Sequence, residues 1–131
     1  MNKINVSDKY TRLVDGLNSL SSKYYELEAE EHFLKKDAQD AIDEINFLKN
    51  YPLFDSSCRK EFREKNRIVN LEEEYKRIVW QMEQLEVEKD SIMHSYLKML
   101  EIVLIAKSKL PNYGFSNEDI EEMATIKRIR K

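Results

Sequence analysis

The chain has 131 residues, 36% of them charged and 41% hydrophobic, with 2 glycines and 2 prolines. So few turn formers among so many charges describe long solvated helices and argue against a conventional enzyme core. The formal net charge of -3 comes from 22 basic and 25 acidic residues that interleave, which leaves no broad field to draw in nucleic acid or anionic lipid.

Ser7 or Asp8 suits a helix N-cap, and the spacing that follows predicts a first helix over about 7–49. Val6, Tyr10, Leu13, Leu17, Leu20, Tyr24 and Leu27, then Leu34, Ala38, Ala41, Ile45 and Leu48, alternate steps of three and four. That rhythm keeps side chains on one narrow seam, the pattern of packing against another long helix. Gly16 interrupts the seam's neighbourhood at a cost of about 1 kcal/mol relative to alanine. Pro52 ends the helix, and 50–55 is read as a connector in which Leu53 and Phe54 cover the open end of the core. Asp55, Ser56 and Ser57 offer caps for a second helix over about 56–110, stopped by Pro111. Asn112 and Gly114 make a turn, and Ser116-Asn117-Glu118-Asp119 reads as a capping box for a short third helix over about 117–129. The expected fold is all-α: one elongated unit built as an antiparallel helical hairpin or coiled coil with a short C-terminal helix.

Each long helix carries one charge in its seam, Glu31 in the first and Lys89 in the second. Antiparallel pairing that sets Leu48 beside Ile68 also sets Ile45 with Leu71, Ala41 with Tyr75 and Ala38 with Ile78, and brings Val6 to Leu110. It makes Glu31 and Lys89 diagonal neighbours of opposite sign, a register-setting use of polar seam residues. A register shifted by one heptad would put Glu61 and Glu64 opposite Leu48 and Ile45 and is less favourable. A parallel self-dimer would stack like charges at buried positions.

A hairpin needs one stripe per helix, yet eleven of the fifteen residues from Ile92 to Ala106 are apolar. A helix apolar nearly all round has to be enclosed. Met93, Leu97, Leu100, Ile102, Leu104 and Ile105, with Val14 and Tyr25 off the first seam, are therefore candidate partner contacts. The alternative cover is the third helix folding back with Ile120, Met123, Ile126 and Ile129. Trp80 falls at an outward position of the second helix and is a candidate contact anchor.

No catalytic chemistry stands out. Cys58 is the lone cysteine, so no intrachain disulfide forms and a reducing compartment is the easier reading. His32 and His94 lie on polar faces without ligand-spaced neighbours, and the runs Glu72–Glu74 and Glu121–Glu122 read as solvated helix faces. No cofactor, metal or small-molecule substrate is expected. The start of the chain lacks the apolar run of a signal peptide, and no stretch approaches the ~18 to 20 apolar residues of a membrane span. The expectation is a soluble intracellular protein of the nucleus or cytoplasm. Lys127, Arg128, Arg130 and Lys131 form a basic cluster that suits a helix C-terminus, an import signal or a phosphate contact.

Two long helices broken near a proline, followed by a short C-terminal element, resemble the small helical subunits of kinetochore and centromere assemblies. Ser7-Asp8-Lys9-Tyr10-Thr11-Arg12-Leu13 followed by Leu17, Leu20 and Tyr25 is similar in pattern to the start of Mediator hinge subunits. The resemblance implies a non-enzymatic coiled-coil subunit of a multiprotein complex, docked to other helical chains in a hetero-oligomer, and carries over no site residues. The alternatives are a nucleic-acid-binding protein using the basic tail and a vesicle-tethering or membrane-surface coiled coil.

Overall fold

The computed structural model describes residues 2–50 and 58–130, the side chains of 58–64 apart. The expected roles of Leu53 and Phe54, the caps at 55–57, the environment of Cys58 and the placement of Lys131 lie outside the described residues. Two long helices, α1 (Lys3–Asn50) and α2 (Cys58–Lys109), pack antiparallel. A 3-10 turn (Leu110–Tyr113) and a short helix, α3 (Asn117–Met123), complete the order, with no strand among the described residues.

Helix α1 starts five residues earlier than the Ser7 cap predicts, because Asn2 takes the capping role: its Oδ1 accepts the Asn5 N–H at 2.9 Å. The turn after α2 closes where Gly114 adopts φ 87°, and its N–H donates to the Pro111 carbonyl at 3.0 Å. The capping box forms as expected. Ser116 Oγ accepts the Asp119 N–H at 3.2 Å, and Asp119 Oδ2 accepts the Ser116 N–H at 3.1 Å. Helix α3 then ends at Met123 rather than near 129. Ala124 is extended, at φ -164° and ψ 141°, and 124–130 continue as an irregular strap.

The chain divides into two compact units. The first joins Met1–Glu28 to Glu88–Lys131. Its core is Val6, Tyr10, Val14, Leu17, Tyr96, Val103, Leu110 and Ile120, with Met123, Ala124, Ile126 and Ile129 packed against it. Ile120, Met123, Ile126 and Ile129 thus fold back as the alternative cover expects, but onto the core side and partly as a non-helical strap, and they leave Leu97, Ile102, Leu104 and Ile105 exposed. Because α3 and the strap add a third layer, α1 buries a wider stripe here than two helices would need. Val14 and Ser21, one heptad apart and one position off the seam, are among the most enclosed side chains in the chain. The close approach is helped by Gly16, where a Cβ would lie 2.7 Å from Met99 Cε.

The second unit, Ala29–Val87, is a thinner antiparallel pair with Ala38, Ala41, Ile45, Leu71 and Ile78 buried. Its ion pairs report the register. Arg67 reaches both carboxylate oxygens of Glu44 (2.9 and 3.2 Å), and Lys49 Nζ lies 3.3 Å from Glu72. These links straddle the layers expected to pair Ile45 with Leu71 and Leu48 with Ile68, one from either side. Being exposed, each contributes little, about 0.2–1 kcal/mol.

Candidate partner-binding surfaces

In the first unit α2 turns Tyr96 and Val103 inward, and Leu110 of the following turn joins them, while Leu97, Ile102, Leu104 and Ile105 remain 54, 54, 37 and 50% exposed. On a helix these four residues share one side, interleaved with Lys98, Glu101 and Ser108. Met93 and Leu100 are half-buried and pack against the core, so they join the outer face less fully than the sequence suggests. Val14 has no exposed surface at all. It is a correction to its expected role: α3 and the strap supply, within the chain, the cover that a partner was expected to supply.

In the second unit Trp80 is 59% exposed, as its outward position predicts. Phe33, which sequence reasoning passed over, is 67% exposed on α1 and lines the same groove of about 510 Å³. Leu34 and Leu85 lie half-buried at its base, and Gln81 and Gln84 supply polar groups. Phe33 was recoverable by reading outward aromatics across the expected register, since it comes level with Glu83, one turn from Trp80.

Glu31 is buried in the second unit and accepts an ion pair from Lys35 Nζ at 3.0 Å. Lys89, in the first unit, is half-buried with its ammonium 5.2 Å from the centre of the Tyr24 ring.

The strap places the basic tail in a way the sequence did not suggest. Three side chains hold its backbone. Asn18 Nδ2 donates to the Thr125 carbonyl at 2.8 Å, and Asn18 Oδ1 accepts the Lys127 N–H at 2.8 Å. The Tyr25 hydroxyl donates to the Arg128 carbonyl at 3.3 Å and accepts the Arg130 N–H at 2.8 Å. The Tyr96 hydroxyl donates to the Lys127 carbonyl and accepts the Ile129 N–H, each at 3.2 Å. Tyr25 therefore has a bonding role within the chain, with 40% of its surface still exposed. Lys127, Arg128 and Arg130 point their side chains to solvent while their backbone is fixed. The signal for this was the recurrence of Asn18 and Tyr25 one heptad apart beside the seam.

Among the described residues no helix is long and apolar enough to cross a membrane, and no cluster of three or more His, Cys, Asp or Glu is placed to hold a metal. No protein family, curated protein or solved structure matches this chain.

Proposed function

We propose that this chain is a non-enzymatic helical subunit that docks onto another helical protein in a hetero-oligomeric complex of the nucleus or cytoplasm. The observation that carries the reading is the face of Leu97, Ile102, Leu104 and Ile105. Its apolar residues stay exposed after the chain's own C-terminal segment has covered the opposite side of α2. These side chains are only about half exposed, so each that a partner fully buries returns roughly half of the about 1.5–3 kcal/mol that burying a whole such side chain yields. The groove of Phe33 and Trp80 supports the same reading in the second unit, since exposed aromatics on neighbouring helices are common contact anchors.

The test is a Leu97→Ser, Leu104→Ser, Ile105→Ser variant compared with the unaltered chain. The variant is expected to keep its melting temperature and lose every partner that the unaltered chain captures from its native cells. An unchanged partner set with an unchanged melting curve refutes the reading.

The outward side chains of Lys127, Arg128 and Arg130 support a second reading, contact with nucleic-acid phosphates. Three phosphate contacts would give a slope of log affinity against log salt of roughly -2 to -3, reduced by about one for each lysine or arginine replaced by glutamine. Salt-independent binding, or none, removes it.

A further inference from the structure

The groove of Phe33 and Trp80 lies wholly within Ala29–Val87, and its rim differs in chemistry from its floor. Leu34 and Leu85 give it an apolar floor between the two helices. On α1, Glu30 and Asp37 stand on the same stripe, one turn to either side of Phe33 and Leu34. The Arg67–Glu44 ion pair fixes how this face of the helices meets. Continued one heptad, the same register sets Asp37 beside Glu74; continued two, it sets Glu30 beside Gln81, and both of those line the groove. A cation thus meets an anion in the first layer, and two anions meet in the next. Glu30, Asp37 and Glu74 are exposed and have no ion pair among the described residues. Arg77, one turn from both Glu74 and Trp80, offsets part of that charge.

An apolar floor, two exposed rings and an acidic rim fit a cationic amphipathic occupant. Its aliphatic residues cover Leu34 and Leu85, while its arginines or lysines reach the carboxylates and lie against Phe33 or Trp80. The backbone groups of α1 and α2 are already bonded within those helices. An extended segment would have only side chains such as those of Gln81 and Gln84 to bond its own N–H and C=O groups, whereas a helix satisfies them internally. Building on the docking reading above, we propose that this groove receives an arginine- or lysine-rich amphipathic helix of a partner protein. Like-charged Asp37 and Glu74, which oppose each other in the free chain, supply the electrostatic selection for such a helix over an acidic one.

Trp80 is the chain's one tryptophan, so its fluorescence reports this groove. The probe is a synthetic peptide of about 18 residues, long enough to form a helix, with leucine at three-four spacing and arginine elsewhere. Its controls are a twin with glutamate in place of arginine and a scrambled arginine peptide. With the full chain, the arginine peptide is expected to move Trp80 emission to shorter wavelength and to bind at least tenfold more tightly than either control. Phe33→Ser, a change at an exposed residue, is expected to weaken it at least tenfold. Asp37→Lys is expected to weaken it at least fivefold while raising the melting temperature, because the new lysine pairs with Glu74; a purely structural effect would lower both together. In the free chain, caesium is expected to quench Trp80 more strongly, relative to iodide, than it quenches N-acetyltryptophanamide; an equal or reversed ratio overturns the acidic rim. Equal binding of either control, binding unchanged by Phe33→Ser, or binding that leaves Trp80 emission unmoved overturns the proposal. So does the absence of binding at millimolar peptide, an outcome that leaves the face of Leu97, Ile102, Leu104 and Ile105 to its own test. Trp80 emission that moves to shorter wavelength as the chain alone is concentrated would assign the groove to a second copy and overturn the partner assignment.

Discussion

Tyr10 is 2% exposed, and its hydroxyl meets no hydrogen-bond partner among the described residues. A buried hydroxyl left unpaired costs about 1–3 kcal/mol, so Tyr10→Phe is expected to stabilise the chain by about 1 kcal/mol in urea unfolding. Burial, and after it the Glu121 carboxylate, pushes the Tyr10 phenol above its ordinary value of 10.0. The folded chain thus holds this proton more firmly than the unfolded one. The contribution is complete below pH 10 and is lost as pH rises through the folded value, and Tyr10→Phe is expected to flatten that alkaline decline. Asp119 behaves in the opposite sense. The backbone N–H of Ser116, then its hydroxyl, hold the carboxyl below 3.8, with Lys3 adding to the effect. Its contribution is present above that value and fades as pH falls through the folded one. Ser116→Ala, which removes the acceptor for Asp119 N–H, is expected to cost about 1 kcal/mol and to weaken the acid dependence.

At the scale of elements, Gly16→Ala sets two effects against each other. Alanine gains up to about 1 kcal/mol of helix stability, while its Cβ approaches Met99 Cε to 2.7 Å. The obstructing atom is the free end of a flexible thioether, so the propensity gain is expected to win and the melting temperature to rise. Gly16→Val, whose branched side chain cannot be accommodated by moving one methyl, is expected to lower it. The seams of α1 and α2 were legible because a three-four rhythm over many heptads has no other stable solution. The end of α3 was not. Met123, Ile126 and Ile129 are spaced by three, which reads as a helical face, and the bonds that hold the backbone of 125–130 out of a helix come from Asn18, Tyr25 and Tyr96, over thirty to one hundred residues away in sequence. Val14 was misplaced for the same reason: its cover arrives from a segment whose conformation the local pattern left open.

For the molecule as a whole, the two compact units differ in how completely they enclose their cores. Leu17, Val14, Val103 and Ser21, the most fully buried side chains among the described residues, all belong to the unit of Met1–Glu28 and Glu88–Lys131. In Ala29–Val87 two of the buried apolar side chains, Ala38 and Ala41, are small, beside Ile45, Leu71 and Ile78. Buried apolar contact sets the free energy of local opening, so amides around Ala38 and Ala41 are expected to exchange faster than those around Val14 and Leu17. Uniform protection along α1 would show the two units opening as one. The charged composition that led to a helical, partner-binding reading carried no sign of this difference, which depends on α3 and the strap packing against the core of the first unit.

The bonds between Asn18 or Tyr25 and the strap join residues 103 to 109 positions apart. Pairings at such separation form late in folding, because the entropy of closing the intervening chain is lost before the contacts return it. Ala29–Val87 is continuous in sequence and has no such wait. While the polypeptide is being made, Val14 and Leu17 therefore emerge long before their cover, leaving an apolar helix open to chaperones or to an early partner. A refolding experiment should show the same order in time: helical signal first, then burial of Tyr96 as the strap closes.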